Sequence, residues 1–189
     1  RSLRSTRPDS TVRRSYPSIR MIDLSGFCLS SGTTLSDQPL IDRQHPHDLF
    51  AELSVAYTHM ISKDADLFVY LGYPGEPAIG APTFMHRPSS MYNPDAPLGH
   101  HWQDATHITF GVATFGLRYK IFKLEGSVFT GREPGEARYG FDKPRFDSYS
   151  YRLSANPHPQ LGLQVSQAFL KSPESIDPEE DVWRTTASA

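Results

Sequence analysis

With one cysteine, Cys28, among 189 residues, the chain cannot form an internal disulfide, and a lone thiol carries no redox or metal motif. Long apolar runs are missing too. At 38% hydrophobic residues and a mean hydropathy of −0.47, no stretch supplies the ~20 consecutive apolar residues of a membrane-spanning helix. An excess of one charge is also lacking: 19 Lys and Arg against 21 Asp and Glu leave a net charge of −2, which gives no electrostatic case for nucleic acid as a partner. There is no G-x-S-x-G, no P-loop, no C-x-x-C and no G-x-G-x-x-G after a predicted strand, so the chemistry those motifs mark is unsupported. A Ser-His-Asp or paired-carboxylate site is defined by geometry and stays open.

What the chain does have is alternation. From Leu49 to Tyr57 the residues Leu49, Ala51, Leu53, Val55 and Tyr57 alternate with polar neighbours such as Glu52 and Ser54, the period of a half-buried strand. After a tight turn at Ile61 to Asp64, Leu67, Val69, Leu71 and Tyr73 repeat the pattern. A third run holds Ile108, Phe110 and Val112 in one phase and Phe115, Leu117 and Tyr119 in the other, which predicts a bulge near Ala113 and Thr114. Phe122 to Val128, Tyr149 to Ala155 and Leu161 to Phe169 form a fourth, fifth and sixth strand, the last two joined by Asn156-Pro157-His158-Pro159. Val182 to Ala189 starts a seventh.

The connections alternate as well. Those after the first, third and fifth predicted strands are a few residues long, whereas 74–105, 133–147 and 171–181 are long and rich in Pro, Gly and charge. In an up-and-down meander, alternate connections leave from the same side, so tight turns gather at one end and large loops at the other, as in outer-membrane barrels. Tyr57, Tyr73, Tyr119, Phe122, Tyr149 and Phe169 fall near strand ends, where interfacial girdles place aromatics. The expected fold is therefore all-β, an antiparallel up-and-down meander forming part of a transmembrane β-barrel. Residues 39–189 make up the barrel segment of about seven strands. Residues 1–38 are expected to be an irregular arm, because Arg1, Arg4, Arg7, Arg13, Arg14 and Arg20 are interleaved with Ser and Thr without sustained periodicity. The arm is Arg- and Ser-rich like a transit peptide, but Asp9 and the prolines spoil an amphipathic helix. An odd count of about seven strands suits a fragment of a larger barrel better than a closed one.

Three stretches carry a resemblance: P-L-I-D-R-Q-H-P-H-D-L-F from Pro39 to Phe50, P-L-G-H-H-W-Q-D-A-T-H-I-T-F-G from Pro97 to Gly111, and F-D-K-P-R-F-D-S-Y-S from Phe141 to Ser150. Over roughly Leu35 to Ala189 the chain resembles a family of uncharacterised bacterial outer-membrane β-barrel, porin-like proteins. The resemblance implies a bacterial outer-membrane location and a longer chain, with outer-membrane lipid around it. It supplies no substrate, reaction or ligand set.

Eight histidines are present, most of them in two loop-to-strand junctions. His45, His47 and Asp48 precede the first predicted strand; His100, His101, Asp104 and His107 precede the third. Both strands run from the long-loop side towards the short-turn side, which puts the two clusters on one rim. Neutral imidazoles converging within ~2.0–2.3 Å of an ion would suit Zn, Cu or Ni. Neither H-x-H nor H-H-x-x-D-x-x-H is specific, and histidines beside Pro, Trp and Asp equally serve as packing and hydrogen-bonding groups that tie a rim together. With no water-activating Glu paired to the clusters, such a metal would fit uptake or sensing better than hydrolysis.

Glu52, Asp66, Arg118, Lys123, Glu125 and Arg152 are expected to point into the lumen, as the lining of a wet, weakly selective pore or as a neutralised ladder plugging a narrow barrel. The function expected from these features is passive passage of small solutes or ions through a porin-like or transport-associated protein, with no catalytic residues assigned and oligomerisation left open. A soluble β-protein binding a transition metal through its His-rich loops is the alternative, and an outer-membrane hydrolase a second.

Overall fold

A computed structural model describes the backbone of residues 16–21, and residues 52–80, 108–135, 140–174 and 177–189 in full. Its strands are β1 (Tyr16–Met21), β2 (Leu53–Met60), β3 (Ala65–Gly72), β4 (Val112–Tyr119), β5 (Phe122–Phe129), β6 (Ser148–His158), β7 (Leu161–Leu170) and β8 (Val182–Ser188). They form one antiparallel sheet in sequential order, so every strand pairs with its chain neighbours. Seven of them fall in the segment where alternation predicts strands. The sheet is not closed: β1 and β8 are its two edges.

Three differences from the sequence expectation stand out. Tyr16–Met21 lies inside the arm expected to be irregular, yet pairs with β2 from Tyr16 opposite Thr58 to Met21 opposite Leu53. Its alternation of Pro17, Ile19 and Met21 with Ser18 and Arg20 is too short to stand out beside the arginines; a partner strand supplies what local pattern does not. Secondly, β4 has no bulge, since its register runs unbroken against β3 and β5. The change of phase has another cause. Gly111, with φ +101°, stands between two buried groups: Ile108 and Phe110 form one, Phe110 lying edge-on to Tyr73 and Phe141, whereas Val112 packs with Ile79 on the covered face that Thr114 shares, and Phe115, Leu117 and Tyr119 are on the open face. Lastly, the irregular step occurs in β6, between Ala155 and His158, so β6 runs through Asn156 and Pro157 before turning at Pro159 and Gln160.

The short turns join β2 to β3, β4 to β5 and β6 to β7 at one end, and the longer connections leave the other. At the turn end, Lys120 N–H donates to Asp64 O at 2.8 Å and Asn156 N–H to Ile121 O at 2.9 Å, stitching neighbouring turns together. At the loop end, Thr130 Oγ1 donates to Phe110 O at 2.8 Å and accepts from Arg145 N–H at 2.9 Å. Lys171 Nζ donates to Asp181 Oδ2 at 2.8 Å across the β7–β8 connection; this bond holds the Asp181 carboxyl below the ordinary carboxylate range and raises the Lys171 ammonium.

The two faces differ in kind. On the open face, Leu67, Leu117, Leu124, Leu153 and Val165 stand opposite one another in a row crossing five strands. Aromatics flank that row. Tyr119 faces Phe122 towards the turns, and at the loop end Tyr149, Phe169 and Trp183 pack with ring centroids 5.4–6.0 Å apart. Most of these side chains are exposed, Phe115 at 56% and Trp183 at 58%. The other face is covered and mostly polar: Glu52, Ser54, Thr114, Glu125, Ser127, Ser148, Ser150 and Ser166 are buried.

Part of the cover is the chain itself. After β3, Pro74 to Gly80 turns back over the polar face, and Ile79 packs in a small apolar cluster with Val112, Phe129, Ala168 and Leu170. Two glycines permit this return. A Cβ on Gly72 would stand 2.6 Å from Gly75 Cα, and one on Gly75 would stand 2.8 Å from Gly72 Cα, so the two backbones meet where no side chain fits. Gly75 then pairs with Thr109, each N–H donating to the other's carbonyl at 3.0 and 3.1 Å. Gly72→Val is expected to expel Pro74–Gly80 from the polar face while the strands persist: limited proteolysis should cut within 74–80 in the variant alone, with an unchanged β-sheet circular dichroism spectrum. Equal protection of the segment in both proteins would show that the glycine contact is dispensable.

Candidate functional site

Transverse rows of paired residues define the covered face. Nearest the turns, Asp66, Arg118, Lys123, Ser154 and Gln164 lie side by side; next come Thr58, Phe68, Gly116, Glu125, Arg152, Ser166 and Thr186. The third row is Ala56, Tyr70, Thr114, Ser127, Ser150 and Ala168, and the fourth, nearest the loops, is Ser54, Gly72, Val112, Phe129, Ser148 and Leu170. The face thus grades from charged through hydroxyl to apolar along the strands. Pro74–Gly80 caps the apolar end.

Hydroxyls hold the cap by its backbone. Ala78 N–H donates to Ser127 Oγ at 2.8 Å, Gly80 N–H to Ser166 Oγ at 2.9 Å, and Glu76 N–H to Tyr70 Oη at 3.2 Å. Arg152 completes the hold, its Nη1 donating to Gly80 O at 2.7 Å. Buried backbone groups of a segment outside the sheet need partners, and the serine-rich rows provide them. Further hydroxyl pairs, Thr114 with Ser127 and Ser166 with Thr186, each at 2.6 Å, extend the network between strands.

Beneath the cap lies a cavity of about 330 Å³. Side chains from β2 to β6 line it, so the sheet must curl round it. Glu52, Glu76 and Glu125 contribute carboxylates, and Arg118, Lys123 and Arg152 contribute cations. Five of the six residues expected to point into a lumen therefore meet at this cavity, and the sixth, Asp66, pairs with Arg118, accepting from its Nε at 2.6 Å. Glu125 bridges two cations: Oε1 accepts from Lys123 Nζ at 2.6 Å and Oε2 from Arg152 Nε at 2.9 Å. Glu52 Oε1 accepts from Tyr70 Oη at 3.1 Å. The sequence pattern missed Tyr70, Glu76 and Ala78. An aromatic in the polar phase of β3 was the available signal for Tyr70, whereas Glu76 and Ala78 reach the cavity through a fold-back that no periodicity marks.

His45, His47, Asp48, His100, His101, Asp104 and His107 lie outside the described residues. Among the described residues no group of three or more His, Cys, Asp and Glu could hold a Zn, Cu or Ni ion. The two described histidines, His59 and His158, are at the turn end on β2 and β6.

Glu125 is the keystone of the charged rows, with a nearly buried carboxylate between two cations. Glu125→Gln should destabilise the folded chain by about 2–4 kcal/mol, because it leaves Arg152 and Lys123 without their counter-charge. The double variant with Arg152→Gln should recover part of that loss in a double-mutant cycle of urea unfolding in detergent. Strictly additive losses would mean that the pair is not coupled.

Comparison with protein families, with curated proteins and with solved structures finds no match to this chain, so the functional assignment rests on the geometry above.

Proposed function

We propose that the chain is part of a bacterial outer-membrane β-barrel of porin-like type that lets small solutes or ions pass. The observation carrying this is the inversion of the two faces: exposed large apolar side chains occupy one side of the sheet, and buried carboxylates and hydroxyls occupy the other. A water-soluble sheet buries its apolar face against a second layer. Here the strand residues from Leu53 to Trp183 present on the order of 1,000 Å² of apolar side chain to the outside, beyond the ~300–600 Å² of the largest patch on a typical soluble monomer. Hydrocarbon is the surrounding in which that face is stable. The aromatic rows at both ends of the strands suit the two interfaces.

The pore assignment adds two requirements. In hydrocarbon each unpaired backbone group costs several kcal/mol, so the outer edges of β1 and β8 must be paired in the bilayer. The enclosure must also be wider than that of a barrel closed by about eight strands, whose interior is just filled by side chains, since this one holds the backbone of Pro74–Gly80 as well as a cavity. With that segment across the loop end, the passage is narrow.

Two outcomes test the assignment. The full chain should need detergent to stay monodisperse and, reconstituted into planar bilayers, should produce discrete conductance steps; a protein monodisperse in plain buffer and silent in bilayers would contradict it. Leu117→Arg, in the middle of the leucine row, should weaken folding into lipid vesicles by ~2–4 kcal/mol, the cost of a cation near the bilayer midplane. An effect below ~0.5 kcal/mol would place that face in water.

A further inference from the structure

Two cations stand directly opposite each other at the charged end of the cavity. Arg118 on β4 is the register partner of Lys123 on β5, an arrangement that disfavours folding unless the charges are answered. Both lean on one ring: Arg118 Cζ is 5.7 Å and Lys123 Nζ 4.7 Å from the centroid of Phe68. The ring lies flat there because its row neighbour is Gly116, where a Cβ would stand 2.2 Å from the ring atoms.

In the two rows nearest the turns the cations outnumber the carboxylates. Asp66 meets Arg118 and Glu125 meets both Lys123 and Arg152, so in these rows two carboxylates face three cations, while Glu52 and Glu76 line the cavity towards the cap. Both Glu125 oxygens are already engaged. Asp66 accepts from Arg118 Nε, and among the described residues neither Nη of Arg118 has a protein acceptor, while Lys123 uses one of its three N–H donors on Glu125. All of these donors border the 330 Å³ cavity.

We infer that Arg118, Lys123 and the Phe68 ring form a binding site for a small oxyanion, the carboxylate or phosphate group of a solute in the lumen. The anion accepts from the Nη groups of Arg118 and from Lys123 Nζ and relieves the opposed pair. Its non-ionic part lies along the Phe68 ring. This deepens the pore assignment, on which it rests for the source of the solute, by giving the cavity an anionic cargo.

The test is equilibrium binding to the full chain folded in detergent micelles, with inorganic phosphate and benzoate as separate probes followed by calorimetry. Saturable binding is expected, weakened at least tenfold by Lys123→Gln and by Arg118→Gln and unaltered by Lys171→Gln at the loop rim. Preference for phosphate or for benzoate identifies the group recognised. Absence of saturable binding by both probes overturns the inference, as does binding that neither cavity variant weakens. Should the cavity variants fail to fold, the wild-type Phe68 ring resonances must shift on titration; unmoved resonances overturn it equally. Micelle binding needs no conducting pore. Conductance without anion binding therefore refutes this site alone, and anion binding without conductance refutes the pore alone.

Discussion

A single antiparallel sheet has two faces and, being one layer, can hide at most one of them within its own chain. In this protein the hidden face is the polar one. Leu67, Leu117, Leu124, Leu153 and Val165 form a continuous apolar row on the side that nothing in the described structure covers, while Glu125, Ser127, Ser150 and Ser166 are enclosed. At ~25 cal/mol per Å², leaving on the order of 1,000 Å² of apolar surface in water forgoes roughly 25 kcal/mol, more than the ~5–15 kcal/mol that separates a folded domain from its unfolded chain. That magnitude makes the surroundings of the sheet part of its fold.

The enclosed face answers the opposite demand. Polar groups taken from water must find partners, and they do so in graded rows: ion pairs near the turns, hydroxyl bridges at mid-strand, and an apolar cluster near the loops that receives Ile79. Pro74–Gly80 makes the arrangement close. Its backbone N–H groups take up Ser127, Ser166 and Tyr70, its carbonyl at Gly80 takes up Arg152, and its apolar residues seal the loop end. The same contacts that satisfy the lining fill the loop end, so in the proposed pore stability of the polar face and restriction of passage would come from one segment.

Much of the architecture is readable from residue order because its signal is local. The period of two in Phe122 to Val128 assigns every side chain of β5 to a face, and turn length alone orders the meander. Cavity residues such as Glu125 and Arg152 are legible for the same reason, being the polar phase of strands whose other phase is apolar. What periodicity cannot convey is non-local. β1 owes its form to pairing with β2, the phase change between Phe110 and Val112 falls at the positive-φ Gly111 and not at a bulge in β4, and the return of Glu76 and Ala78 to the cavity depends on the close approach of Gly72 and Gly75. Composition likewise shows a surplus of histidine but not where it acts, and the described residues bring no metal-binding group together.

The central claim is that the apolar phase of each strand faces hydrocarbon and the polar phase faces water. Spin labels placed one at a time along Phe122–Phe129, in a Cys28→Ser background in lipid vesicles, test it through collision with oxygen, which partitions into lipid, and with a water-soluble nickel chelate. Labels at Phe122, Leu124, Gly126 and Val128 should favour oxygen, and those at Lys123, Glu125 and Ser127 should not, with a period of two. Uniform accessibility to the nickel chelate along the strand, or the opposite phase, would contradict the account.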